Sequence, residues 1–217
     1  MENSKMKEKS TLLHDAIALF LITLISGLAL SYVFEITKAP IEKQQADKQL
    51  EAYQSVFAQV DTYELDETLN LDAKDADLGS LNADFQSVVV DEVNKAFDSN
   101  GTLIGYILKV TTSDSYKDHI TIAIGYSLDG TVKGIEFLAI NETAGLGMNA
   151  VKPEFKGQFS DKNVEQFEVT KTGATTDNQI DALSSATITS RAVVNAVNAG
   201  IGFIKEYSTE LGGGANE

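Results

Sequence analysis

The chain has 217 residues, 43% of them hydrophobic, with 17 Lys and Arg against 32 Asp and Glu and no cysteine. That length and composition allow one globular domain with a real core. The missing thiols exclude disulfides, thiolate zinc sites and cysteine-ligated iron–sulfur clusters, and they leave no lipobox for an N-terminal lipid. The formal charge of −15 repels nucleic acid and anionic lipid headgroups, so no nucleic-acid partner is expected.

Residues 16–34, AIALFLITLISGLALSYVF, contain no charge. At 1.5 Å per residue they span roughly 30 Å, the thickness of a bilayer's hydrocarbon core. A cleaved signal peptide has a shorter apolar run that ends at small residues, and Tyr32-Val33-Phe34-Glu35 is a poor cleavage site. One permanent transmembrane helix is therefore expected. Lys5, Lys7 and Lys9 precede it, and Lys38 and Lys43 follow together with Glu35 and Glu42. The basic residues favour a cytoplasmic N-terminus over 1–15 and an external C-terminal domain at the cell membrane, single-pass and surrounded by lipid. From residue 36 onward 14 basic residues remain (17 less Lys5, Lys7 and Lys9). Against them stand 28 acidic ones (32 less Glu2, Glu8, Asp15 and Glu35), about −14 in all.

Lys38-Ala39-Pro40 is expected to break the helix or to begin another, since proline suits a first helical turn. A helix over 41–60 follows, its apolar positions Ile41, Leu50, Tyr53, Val56, Phe57 and Val60 packing on the globular domain. Residues 61–84 are rich in Asp, Asn and Glu with isolated leucines, an irregular or partly helical connector. Residues 35–84 thus form a helix and acidic linker ahead of a domain over 85–208. That domain opens with β patterns around two turns, Asp98-Ser99-Asn100-Gly101 and Asp129-Gly130, which predict a meander of four to five antiparallel strands. A short helix near 151–159 and a long one from about 189 to 206 follow. The glycine-rich tail, 209–217, is expected to be disordered. The fold class is α+β, an antiparallel β meander with flanking helices behind an N-terminal transmembrane helix.

Three segments carry candidate chemistry. Glu142-Thr143-Ala144-Gly145-Leu146-Gly147 follows the last strand, and its two glycines permit close backbone approach to something flat or anionic. A plain glycine turn is the other reading, and neither a dinucleotide fingerprint nor a P-loop is present. Ser115-Tyr116-Lys117-Asp118-His119 opens a strand; Tyr116 can stack on a planar ring, or be a surface residue. Last, Ser184, Ser185, Thr187 and Thr189 crowd before the final helix. Such hydroxyls serve as a helix cap. They also stand where N–H groups and the helix dipole favour phosphate, with which a threonine can be esterified. Arg191 either pairs with that phosphate or lies exposed in the first turn. Two scattered histidines, His14 and His119, leave no metal site or hydrolytic triad, and the dispersed carboxylates do not suggest glycoside hydrolysis.

An anchor, a Tyr-containing strand entry, Glu-Thr-x-Gly-Leu-Gly and Asp-x-x-Ser-x-Ala-Thr, in this order, resemble the FMN-binding domain family of respiratory electron-transfer complexes. Within it the chain is most similar to the G subunit of the Rnf ferredoxin–NAD oxidoreductase complex; the C subunit of the sodium-translocating NADH:quinone reductase is a relative. The resemblance implies a membrane-anchored flavoprotein subunit that relays electrons between ferredoxin and NAD in an ion-translocating complex. It also implies covalent FMN, joined through a phosphoester to Thr187 by a separate flavin transferase that uses FAD, with the other membrane subunits as partners. Asp181, Ser184, Ala186 and Thr187 match the family's attachment motif, Ser185 and Thr189 lie within the same cluster, and Glu142, Thr143, Gly145, Leu146 and Gly147 match a loop close to the flavin. Tyr116 is carried over from the strand entry, where Asp118 replaces a common glycine. Ser185 stands where the family usually has glycine: if that position needs φ > 0 serine strains it, and if glycine serves only compactness serine is tolerated. The alternatives to this function are the quinone-reductase subunit and a non-enzymatic anchored module that binds an extracellular ligand.

Overall fold

The computed structural model describes residues 2–208, with side chains described from residue 14 onward except Glu42. The expected tail, 209–217, lies outside the described residues. Two compact units divide the chain, Met1–Asp47 and Lys48–Glu217. The division falls inside the first helix rather than between residues 84 and 85, so the acidic segment 48–84 belongs to the globular unit.

Helix α1 spans Glu2–Val56 and contains Pro40. The expected break at Lys38-Ala39-Pro40 is absent. Proline removes a single N–H bond, while good helix formers on both sides (Glu42 to Gln45 after it, Lys38 and Ala39 before it) propagate the helix past the gap. The apolar stretch makes α1 long and apolar enough to cross a membrane, and its large side chains from Ile17 to Phe34 are largely exposed. Thr23 Oγ1 donates to the carbonyls of Leu19 and Phe20, and Thr37 Oγ1 to that of Val33 at 2.8 Å. Each hydroxyl is thereby satisfied within its own helix.

In the second unit the sheet runs β1 (Thr62–Leu65), β2 (Val88–Phe97), β3 (Leu103–Thr112), β4 (Ile120–Ser127) and β5 (Val132–Ala139). The strands neighbour one another in chain order and every pair is antiparallel. The expected meander supplies β2 to β5, and the segment expected to be an irregular connector adds β1 at the edge. Asp98 closes the β2–β3 turn, its carboxylate accepting the N–H groups of Asn100 and Thr102 at 2.9 Å, with Gly101 at φ +76.

The connector is more regular than its composition suggests. It forms β1 and then α2 (Glu67–Asp75) and α3 (Leu78–Leu81). Asp66 caps α2 by accepting the Leu69 N–H at 3.0 Å and pairs with Lys95 at 3.0 Å. Leu69, Leu78 and Phe85 then enter the main core. After the sheet come two 3-10 turns around α4 (Pro153–Lys156), a short parallel pair β6 (Glu168–Thr170) and β7 (Gln179–Asp181), and α5 (Thr187–Tyr207).

Helix α5 is buried along most of its length, with Arg191 and Glu206 on its exposed side, as expected of a helix that lays a broad apolar face on a sheet. It packs on the face of the sheet formed by Tyr106, Leu108, Val110, Ile122 and Ile124. At Gly200 an added Cβ would lie 3.0 Å from Ile124 Cδ1, so glycine sets the close approach of helix and sheet. Asn198 makes a two-bond clamp on Phe167, accepting its N–H at 2.8 Å and donating to its carbonyl at 2.9 Å. The opposite face of the sheet is covered by Ala52, Tyr53, Val56 and Phe57 of α1 and the turn after it, against Ala96, Ile107 and Ala123. Tyr53 OH donates to Glu92 at 3.0 Å there, and burial followed by the Glu92 charge raises its pKa.

Candidate functional site

Helix α5 begins at Thr187, two residues before its expected start, and its N-cap is Ala186, whose side chain has no oxygen to offer the first turn. The hydroxyl cluster therefore does not act as a cap. Ser190 Oγ turns the other way, donating to the Ala186 carbonyl at 3.0 Å and accepting the Leu183 N–H at 2.9 Å. Ahead of the helix Ser185 sits at φ +60, the left-handed region that favours glycine. Of the two explanations for the family's glycine, the conformational one holds here: this turn needs a positive φ, and serine carries the strain.

This uncapped start opens onto a cleft of about 490 Å³, within the range of small-molecule and cofactor sites. Tyr116, Glu142, Thr143, Leu146, Gly147, Ser185, Ala186, Thr187 and Thr189 line it together with Ile188. Nine of the twelve residues singled out in the sequence thus converge from three separate segments. Three do not line it. Gly145 lies beside the cleft at φ +77, its carbonyl accepting Asn149 Nδ2 at 2.7 Å. Ser184 is exposed one residue ahead of it. Asp181 ends β7, exposed, with its N–H donated to Gln158 Oε1 at 2.7 Å; it borders a different, more polar hollow. Arg191 is exposed and is not among the lining residues. Ile188 was missed, although a large apolar side chain set among hydroxyls in a first helical turn was a readable signal.

Contacts between the segments explain their convergence. Glu142 is only 6% exposed; its Oε1 accepts the Tyr116 N–H at 2.9 Å and its Oε2 the Thr143 N–H at 3.3 Å. One carboxylate thereby ties the β3–β4 loop to the segment after β5. In that loop Ser115 Oγ donates to the Asp118 carbonyl, and the His119 N–H followed by the Asn141 side chain lowers the Asp118 pKa. Gly147 closes the other joint. A Cβ built on it would stand 2.8 Å from Glu142 Cβ, Glu142 Oε2 and Thr189 Oγ1, so the position has room for glycine alone. Thr189 is 1% exposed and packs inward at this joint, whereas Thr187 is half-buried and faces the cleft. Tyr116, Leu146 and Ile188 leave apolar surface exposed around the opening. A polar, uncapped helix start on one side and apolar side chains on the other suit a ligand with a phosphate and a flat, largely apolar ring.

Residues 115–202 match the FMN-binding domain family. Over 210 residues the chain is 27% identical to the G subunit of the ion-translocating oxidoreductase complex of Methanosarcina acetivorans, covering 92% of this chain and 97% of that one. It is 29% identical over 187 residues to the G subunit of the sodium-translocating ferredoxin:NAD oxidoreductase complex of Acetobacterium woodii, covering 84% and 86%. The chain is a homologue of these G subunits. The crystal structure of Shewanella oneidensis NqrC superposes on this homologue with a TM-score of 0.58, covering 79% of this chain and 100% of that one. At 18% identity that likeness establishes the α+β fold. The family match starts at Ser115 and ends inside α5, so it encloses every residue that lines the cleft.

Proposed function

We propose that this chain is a membrane-anchored flavoprotein subunit that holds FMN as a phosphoester on Thr187 and relays electrons within an ion-translocating complex. Its partners are the other membrane subunits of that complex, with ferredoxin and NAD at the two ends of the relay, as the name of the Acetobacterium relative indicates for that protein. Helix α1 serves as the lipid-embedded anchor, with residues 1–15 in the cytoplasm and the FMN domain on the outer face of the cell membrane.

The observation that carries this reading is the start of α5. Its N-cap makes no side-chain hydrogen bond, and Thr187, the first helical residue, lines the adjoining cleft. A phosphate on Thr187 Oγ1 sits where the first N–H groups and the helix dipole stabilise negative charge. The residues present fit the group: an acceptor hydroxyl, unpaired donors beside it, and an apolar rim for a ring. In the attachment reaction Thr187 Oγ1 attacks the FMN phosphorus of FAD and loses its proton to a base of the transferase. The new P–O bond forms as the anhydride bond breaks, and AMP leaves. FMN, once held, supplies one- and two-electron redox chemistry. The chain's own part is to keep the ring in place through Glu142, Gly147 and the Tyr116 loop.

The test is co-expression of the full chain with a flavin transferase, followed by denaturing gel electrophoresis and flavin fluorescence. Wild type is expected to fluoresce, T187V to be dark and T189V to fluoresce. Fluorescence in T187V that is lost in T189V moves the acceptor to Thr189; a dark wild type sinks the covalent flavin.

A further inference from the structure

Among the side chains that line the cleft there is no Lys, Arg or His, and the single carboxylate is Glu142. Burial to 6% exposure removes most of the water that would screen it. Its two hydrogen bonds come from backbone N–H groups, of Tyr116 and Thr143, and no cation neutralises it among the described ion pairs. Those two hydrogen bonds, one to each carboxylate oxygen, hold it in the wall between the Tyr116 loop and Thr143. A negative charge is thus built into the wall of a site whose occupant changes its own charge during function.

We propose that Glu142 sets the reduction potential of the bound flavin, holding it low as a fixed negative charge in the cleft wall. This rests on the FMN reading given above. Reduction of the ring by an external donor adds two electrons; with one proton taken up the ring is anionic, and with two it is neutral. A carboxylate held in the cleft wall by two backbone N–H groups opposes the anionic product and leaves the oxidised, neutral ring untouched. The reduced state is therefore disfavoured relative to the same ring in an uncharged cleft. A low potential suits a relay centre that must pass its electrons on rather than retain them. Glu142 is a positioning residue for the Tyr116 loop as well, but the potential depends on its charge and the loop depends on its acceptor oxygens.

That separation supplies the experiment. The full chain, flavinylated by a co-expressed transferase and purified in detergent, is titrated spectroelectrochemically with mediator dyes and dithionite. E142Q keeps an acceptor oxygen for the Tyr116 N–H and removes the charge; its reduction equilibrium is expected to favour the reduced flavin at least tenfold more than wild type, about 30 mV for the two-electron couple. E142D keeps the charge and loses reach, and is expected to stay within about twofold of wild type. An E142Q flavin that remains attached with an unchanged potential overturns the role of Glu142 while leaving the attachment site intact. A wild-type chain without flavin overturns both. Where E142Q fails to accumulate, L146K places a cation on the cleft rim: a raised potential supports an electrostatic setting by the wall, and an unchanged one contradicts it.

Discussion

Asp66 closes the start of α2 with a carboxylate that accepts the Leu69 N–H and pairs with Lys95, whereas Ala186 opens α5 with no side-chain acceptor at all. Both helices start in the same domain and follow short strands. One start is completed by the protein itself and therefore only holds structure together. The other is left incomplete beside a cleft, although Ser184 and Ser185 stand immediately before it. An alanine at an N-cap costs about 1 kcal/mol relative to serine or aspartate, and Ser185 at φ +60 adds strain of similar size. A helix start that is this unfavourable on its own account makes sense where a phosphate completes it.

The contrast can be broken from either side. The largest effect is expected at the Gly147 joint beside that open start. G147A forces a Cβ against Glu142 and Thr189, so it is expected to cost about 2–3 kcal/mol by overpacking and to lower flavin attachment severalfold. Chemical denaturation and in-gel fluorescence check the two effects. Next, D66A removes a cap and an ion-pair partner, with a loss of about 2 kcal/mol and a melting temperature lower by roughly 4–8 °C; flavin attachment is expected to be unchanged. A186S works in the other direction. A new hydroxyl cap is expected to stabilise the flavin-free protein by about 1 kcal/mol and to slow flavin attachment by occupying the donors that a phosphate needs. If attachment is as fast as in wild type, the start of α5 is not the phosphate site. S185G relieves the positive φ and is expected to add about 0.5–1 kcal/mol with attachment retained.

Much of this was legible in the sequence because it is periodic or punctuated. The apolar run of α1, the two turn signals and the long amphipathic α5 each repeat a pattern over many residues. The continuity of α1 through Pro40 was not to be had that way, since one missing bond is outweighed by strong helix formers on both sides. In 61–84 the elements are only four to nine residues long, too short for a period to emerge. Their stability comes from pairing with β2 and from leucines inserted in the core. At the site, the three segments were readable as motifs, but their roles depend on backbone geometry. No spacing in the sequence distinguishes Ala186 as the cap from its hydroxyl neighbours, or ties the Asp181 backbone to Gln158.

The smallest effect concerns the acid side. Asp98 and Asp129 close the hairpin turns away from the cleft, and both have pKa values below the usual carboxylate range. For Asp98 the Thr102 N–H is the main cause, and for Asp129 the hydroxyl of Ser127. A folded-state pKa that is lowered stabilises the protein above the ordinary value of about 3.9 and loses that contribution as pH falls through the folded value. Melting temperatures are therefore expected to drop below about pH 4, less steeply in D98N and D129N, with flavin attachment insensitive to either change.

The most direct test is to locate the flavin on the chain. After co-expression with a flavin transferase, trypsin cleavage at Lys171 and Arg191 releases one peptide that contains both Thr187 and Thr189, and fragmentation in a mass spectrometer distinguishes them. An FMN phosphoester on Thr187 is the expected result. An unmodified peptide, or a flavin on the buried Thr189, contradicts a helix start left open for phosphate.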